Sequence, residues 1–380
     1  MDIKFANDCG NSEQDMYFNG RPVASPNVYA RIGHLPKLDD VNVDYVAEHI
    51  HDELIVGVES ALYYVGSYAL RSNAHCRSIT VGVDNDKVSS DIVYVNTLAH
   101  IAGEAFAQSY AQAKKDNSEM PKVINVNVDM ATAIPVSYYS TSKAHDFEQK
   151  FMKKDHMVTV YAGPKEFNVL VHFTFVKCIP EGVTASHAFL ADPQLFEAKE
   201  GKDISKDRIL HVAIGEVTTE FPITTGVSFK PDFIRGTNNG NGHAISRVIE
   251  EFKTRFGLTA LLTRQDFSRY IRDKGHKYHE DALEILMPAL EDEAEDIFEM
   301  TKQVISEANN EIDVVAVYGG GSILMKDALK ARLAAYCERA RIRLLYIEDE
   351  ETAVFLEAKG LDAFVNGKIF GLLKERAQSK

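Results

Sequence analysis

The 380-residue chain is longer than one hydrophobic core usually supports, and its 45% apolar and 26% charged residues are those of an ordinary globular protein with more than one domain. A net charge of −14 at pH 7 argues against a broad nucleic-acid-binding face, because affinity for the phosphate backbone comes mainly from Lys and Arg. No apolar run reaches the ~18 residues of a membrane span, and MDIKFAND lacks the apolar segment of a secretory signal. Cys9, Cys76, Cys178 and Cys337 are too scattered for a zinc site or a disulfide framework, so a reducing cytoplasm is the expected setting.

In chain order, residues 1–34 read as two strands around a bend at Asn7, Asp8, Gly10 and Asn11, closed by the hairpin signal Asn19-Gly20. Residues 35–91 are less regular, with strand-like pieces in ELIVGVESALYYVG and an acidic turn at Asp84-Asn85-Asp86. Residues 89–115 carry apolar side chains at helical spacing, and KVINVNVDM (122–130) is a strand. Strands follow at 156–163 and 167–179, then a helix from within PEGVTASHAFL. ILHVAIG (209–215) opens a second half that continues through TTEFPITT and the Gly-Asn cluster at 235–242. Helices dominate from about 243 to 311, and residues 313–337 read as strand, glycine turn and helix. A last strand, RLLYIED, precedes the closing helices. Alternation of helix and strand is the mark of an α/β protein.

IKFANDCGNSEQDMYF and ILHVAIGEVTTEFPI share one pattern: apolar strand, glycine, small polar residues, then an acid five residues beyond the glycine, Asp15 after Gly10 and Glu220 after Gly215. Two such units predict a duplicated architecture. A turn of small residues exposes backbone N–H groups to phosphate, so two facing turns could clasp a polyphosphate. Asp8 could organise Mg²⁺ through water, since that ion dehydrates reluctantly. Gly319-Gly320-Gly321-Ser322, between a buried strand and a helix, would let the backbone lie against a flat nucleoside. Glu181, between Pro180 and Gly182, could orient a water for attack on a γ-phosphoryl group. Neither GxGxxG nor GxxxxGK[ST] occurs.

The order of these elements resembles the actin-like ATPases, the superfamily shared with Hsp70 and the sugar kinases, and in particular the bacterial ParM group that segregates plasmids. Residues 7–12 resemble the first phosphate loop, 214–220 the second and 319–322 the adenosine motif. TAIPVSYY (132–139), PEGVTA (180–185), SPN (25–27) and YYVGSYAL (63–70) resemble ParM segments. The resemblance covers nearly the whole chain. It implies two ribonuclease-H-like lobes duplicated around a nucleotide cleft. Domain I would span 1–182, with an outer subdomain at about 35–91 and completion by a C-terminal helix at about 365–380; domain II would span 183–364, with an outer subdomain at about 243–311.

By the same resemblance, Asp8 would organise the metal shell, and Gly10, Asn11 and Ser12 would touch the β- and γ-phosphates. Gly215, Thr218 and Thr219 would close from the other lobe, with Glu216 beside them. Glu181 would position the attacking water, Gly319 to Gly321 with Ser322 would seat the nucleoside, and Arg247, Glu250 and Glu251 would lie on the helix facing ribose and base. The implied activity is Mg²⁺-dependent hydrolysis of ATP or GTP coupled to filament assembly. The implied partners are further copies of the chain and a DNA-bound adaptor, with no direct contact to nucleic acid or membrane. Two departures stand out: Ala213 occupies a position where many relatives have an aspartate, and Asp15 a position where actin-type loops carry a lysine. Two rival readings are a small-molecule kinase of the same fold, whose base would have to be Asp129, and a non-catalytic membrane-binding scaffold, for which MDIKFAND offers no amphipathic segment.

Overall fold

The computed structural model describes residues 1–79, 88–196, 204–233, 235–259 and 262–379, so the expected turn at Asp84-Asn85-Asp86 lies outside the described residues. The first half supplies β1 (Asp2–Cys9), β2 (Glu13–Phe18), β3 (Arg21–Pro26), β4 (Val28–Ile32), β5 (Ile55–Val58), β6 (Ala61–Val65), β7 (Arg77–Ser78), β8 (Val123–Ile134), β9 (His156–Ala162) and β10 (Lys165–Pro180). Its helices are α1 (Val43–Glu48), α2 (Gly66–Arg71), α3 (Asp91–Asp116), α4 (Thr141–Met152) and α5 (Thr184–Ala191). The ten strands form one sheet in the order β3-β2-β1-β8-β10-β9-β5-β6-β4-β7.

The second half contains β11 (Arg208–Ile214), β12 (Thr219–Glu220), β13 (Ile223–Thr225), β14 (Ser228–Phe229), β15 (Gly236–Thr237), β16 (Val314–Tyr318) and β17 (Arg343–Tyr346). Its helices are α6 (Asn241–Phe256), α7 (Arg264–Arg272), α8 (His279–Glu307), α9 (Gly320–Leu324), α10 (Lys326–Ala340), α11 (Glu350–Val365) and α12 (Lys368–Gln378). Strand β11 repeats the surroundings of β1: each pairs antiparallel with the strand that follows it and parallel with a strand entered through helix, β8 beside β1 and β16 beside β11. The register repeats too. Asp8 lies opposite Asp15 and Ala213 opposite Glu220, so the five-residue spacing read in the sequence is the same cross-strand pair built twice.

Local chemistry accounts for the boundaries. Asn19 and Gly20 both take positive φ, 49° and 83°, which a two-residue hairpin turn with the right twist requires. Ser90 caps α3 by accepting the Ile92 N–H at 3.2 Å, and Asn117 ends it in the left-handed conformation. Helix α4 was not read from the sequence, although Ser140 caps it and Ala144, Phe147, Glu148 and Phe151 repeat at helical spacing on its buried face. All four cysteines are free.

Helix α11 joins the two sheets. Its first half, through Ala353 and Leu356, packs with α5 and the second sheet at Ile209, Val314 and Ala316. Its second half, through Leu361, Phe364 and Val365, packs on the first sheet at Ala6, Ala131 and Ala133. Helix α12 covers the same face, with Phe370 against Phe175 and Lys374 paired to Asp129 at 2.7 Å. The change-over falls where α11 crosses α5 so closely that any side chain at Gly360 would strike the Thr184 carbonyl.

The crossing therefore tolerates no methyl group. Gly360→Ala is expected to cost about 2 kcal/mol or more in urea unfolding, as overpacked sites do. Gly371→Ala, on α12 with nothing near its missing Cβ, should instead be neutral or gain up to ~1 kcal/mol.

Candidate functional site

A cleft of about 690 Å³ opens between the halves, within the ~300–1,000 Å³ range of small-molecule sites. Both glycine turns reach it: Gly10, Asn11 and Ser12 from the β1–β2 bend, and Gly215, Glu216 and Thr218 from the β11–β12 bend. Asp8, Glu181 and Gly319 to Gly321 line it as well.

Each turn is held from behind by residues the sequence reading did not assign. Asn27, fully buried at the end of β3, donates its Nδ2 to the Gly10 carbonyl at 2.7 Å and its backbone N–H to Ser12 at 2.7 Å. Gln14 donates to Asn27 Oδ1 at 2.9 Å, which fixes that amide. The signal was present in SPN, but nothing in a single sequence says where an asparagine's donors end up. On the other side, the Gly215 N–H bonds the Thr218 carbonyl at 2.9 Å, and the start of α6 backs the turn through Gly242 N–H to the Glu216 carbonyl at 2.7 Å. Here the Gly-Asn cluster finds its use. Glu216 is nearly buried and pairs with Arg264 of α7 at 3.0 Å, and Arg264 also reaches the Ile79 carbonyl of the first half at 3.3 Å.

Five expected residues do not line the cleft, among them Glu251, which is exposed on α6. Thr219 is buried and donates to the Asn239 carbonyl, and Ser322 is buried and donates to the Gly319 carbonyl at 2.8 Å. Arg247 pairs with Glu293 at 2.7 Å and Asp292 at 3.5 Å on α8, so it ties two helices together. Glu250 is exposed beside Lys253, the solvated helix face that a charged stripe usually is. Gly319 and Gly321 also have a packing reason for lacking side chains, because a Cβ on either would strike the end of β11 at Ile214. Gly320 is the exposed member of the three.

The cleft is strongly acidic. Among its described lining residues are ten carboxylates, Asp8, Glu13, Asp15, Glu181, Glu216, Glu220, Asp349, Glu350, Glu351 and Glu357, against one base, Arg272, which faces Glu13 at 3.5 Å. Burial pushes Asp15 well above the usual carboxylate range, Glu13 and Asp8 add to the rise, and Arg272 offsets part of it. Burial likewise raises Glu357, with Asp8 and Glu181 adding to it, while the Gly182 N–H and Thr184 hydroxyl lower it. Asp8, Glu181 and Glu357 all line the same cleft.

The residues fit a polyphosphate carried with a divalent cation. The backbone of two small-residue turns faces the cavity, Asn11 Oδ1 has no partner inside the protein, and crowded carboxylates gain from a cation between them. Among the described residues no three His, Cys, Asp or Glu side chains converge as direct metal ligands.

Comparisons with known proteins place both halves. Residues 6–183 match the family described as actin like proteins N terminal domain, and residues 211–331 match the family described as archaeal actin homologue MreB-like, C-terminal. No curated protein matches the sequence. Among solved structures, the chain is similar to the actin-like protein Alp7A at 15% identity over 100% of both chains, with a TM-score of 0.68. It is similar to a non-polymerisable quadruple mutant of pCBH ParM at 15% identity, over 96% of this chain and 99% of that one, with a TM-score of 0.67. It is also similar to Ta0583, an archaeal actin homolog in complex with ADP, at 17% identity over 96% and 100%, with a TM-score of 0.64. At such identities the likeness to these structures is one of fold, and it is the fold that the family resemblance of the sequence implied.

A raised carboxyl destabilises a fold at pH values where it would ionise. Asp15 is protonated in folded and unfolded chains alike below 3.8, and its burden grows as pH rises through its elevated folded value. Asp15→Asn should therefore raise the unfolding temperature of the nucleotide-free protein at neutral pH, with the gain shrinking as pH falls toward 3.8. A shift of equal size at every pH would remove the buried charge as its cause.

Proposed function

We propose, since residues 6–183 and 211–331 match two families of actin-like proteins, that the chain is a filament-forming nucleoside triphosphatase that binds ATP or GTP with Mg²⁺ and works in plasmid DNA segregation. The observation that carries this reading is the meeting of two equivalent glycine turns at one cleft, with Asp8 and Glu181 beside them. The turns' backbone N–H groups would bind the β- and γ-phosphates. Asp8 would hold Mg²⁺ through water, and the ion would neutralise phosphate charge in a cleft whose own charge is negative.

In hydrolysis, a water oxygen attacks the γ-phosphorus, the bond to the β,γ-bridging oxygen breaks, and the nucleoside diphosphate leaves. Glu181 would accept a hydrogen bond from that water and so orient it. Its backbone supports such a role, since the Glu181 N–H is fixed to the Ile134 carbonyl at 2.8 Å, at the end of the central strand β8. Ala213 leaves the second turn without the counterpart of Asp8, so metal organisation would fall to the first half alone.

Self-association is supported by the family and by the pCBH ParM neighbour, whose mutant is described as non-polymerisable. The net charge of −14 supports attachment to DNA through a basic adaptor, not directly. No helix among the described residues is long and apolar enough to cross a membrane.

Light scattering should rise when Mg²⁺ and ATP or GTP are added, and no rise with either nucleotide contradicts the reading. Glu181→Ala should still polymerise while phosphate release slows by about 10²-fold, the scale of a lost positioned base. Asp8→Ala should weaken Mg²⁺-nucleotide binding at least tenfold by calorimetry, about 1.4 kcal/mol.

A further inference from the structure

The backbone next to Glu181 is gripped on both sides of a single residue. The Gly182 N–H lies 3.0 Å from each carboxylate oxygen of Glu357, and Glu357 Oε2 also accepts the Thr184 hydroxyl at 2.9 Å. The Gly182 carbonyl accepts the Tyr318 hydroxyl at 3.0 Å. Gly182 takes φ +78°, and a side chain there would strike Pro222. Both hydrogen-bonding groups of Gly182 are committed.

The tyrosine end of the grip continues inward. The Tyr318 proton goes to the Gly182 carbonyl, so His211 Nδ1, 3.3 Å from the same hydroxyl, must be the donor of that pair. His211 Nε2 then accepts from Ser186 or Thr224, at 3.1 and 2.9 Å. The ring has to be neutral for this, and burial pushes His211 down to about 3. Tyr318, Glu357, His211, Ser186 and Thr224 are all buried, in a place where apolar side chains would avoid the penalty of any unmade bond. Tyr318 is also the last residue of β16, joined covalently to Gly319 of the glycine turn.

We propose that Tyr318 and Glu357 are positioning residues that hold Gly182, and through it Glu181, in register with the Gly319 turn, so that nucleoside seated on the turn sets where the water-orienting carboxylate stands. This rests on the reading of Glu181 given above. Neither side chain needs to touch the reacting atoms. Tyr318 carries the position of the turn to the carbonyl side of Gly182, and Glu357 anchors the amide side to the helix that joins the two sheets.

The test is a double-mutant cycle on the full chain, with Tyr318→Phe, Glu181→Ala and the pair. Each is measured for Mg²⁺-nucleotide affinity, thermal unfolding and single-turnover phosphate release. Tyr318→Phe is expected to keep affinity within about threefold and to slow phosphate release about tenfold, the worth of one buried hydrogen bond. In the Glu181→Ala background it should add no further slowing. Parental phosphate release by Tyr318→Phe overturns the proposal, as does a loss that multiplies on top of Glu181→Ala or a parallel loss of affinity and rate. If Glu181→Ala alone releases phosphate at the parental rate, the reading of Glu181 fails, which is a separate outcome. Should Tyr318→Phe not fold, Glu357→Leu, which removes both acceptors of the Gly182 N–H, is judged by the same criteria.

Discussion

The molecule depends on the crossing of α5 and α11. At Gly360 the two backbones touch, and on either side of that point α11 commits its apolar face to a different sheet. One turn before the contact, α11 turns Glu357 into the cleft, where it holds the amide that follows Glu181. A single packing constraint thus sets the relation of the halves and the placement of the most crowded carboxylates. The interior charge there is costly: burial raises Glu357, and Asp8 and Glu181 raise it further. Native structures keep such groups where they serve a site, because a fold alone gains little from a buried charge.

The same logic governs the cleft as a whole. Ten carboxylates facing one arginine would repel a bare polyphosphate, so under the proposed function phosphate recognition would have to come from backbone donors in the two turns and from a cation brought with the ligand. Backbone donors work only if the turns are rigid, and each turn has its own brace. Asn27 and Gln14 hold the first, while the start of α6 and the Arg264–Glu216 pair hold the second. Further contacts cross between the halves. Ser137 donates to Glu220 from its N–H and hydroxyl, both at 3.2 Å, and Arg264 reaches Ile79. These tie the bracing of the two turns to the closure of the cleft around them.

Much of this was legible in the sequence because the duplicated signal is local. A strand, a glycine and an acid five residues later specify a β-bend-β unit wherever they occur, and two copies gave the duplicated architecture and the facing turns. Helix α4 was lost between two strong strand signals, although its apolar spacing was there to count. Glu357 and Tyr318 were illegible for a different reason. Their partners lie 175 and 136 residues away, and nothing local distinguishes a glutamate that caps a distant amide from one on a solvated helix. The assignments of Arg247, Glu250, Thr219 and Ser322 rested on residue type and neighbourhood, and the ion pairs and inward hydroxyl bonds that claim them depend on tertiary packing.

The central claim is that the two turns act as one binding site. Hydrogen exchange, followed with and without Mg²⁺-nucleotide, tests it most directly at the amides of residues 10–12 and 215–218. The account predicts that both segments become protected together and at the same nucleotide concentration. Protection confined to one turn, or appearing at the two turns with different affinities, would contradict it.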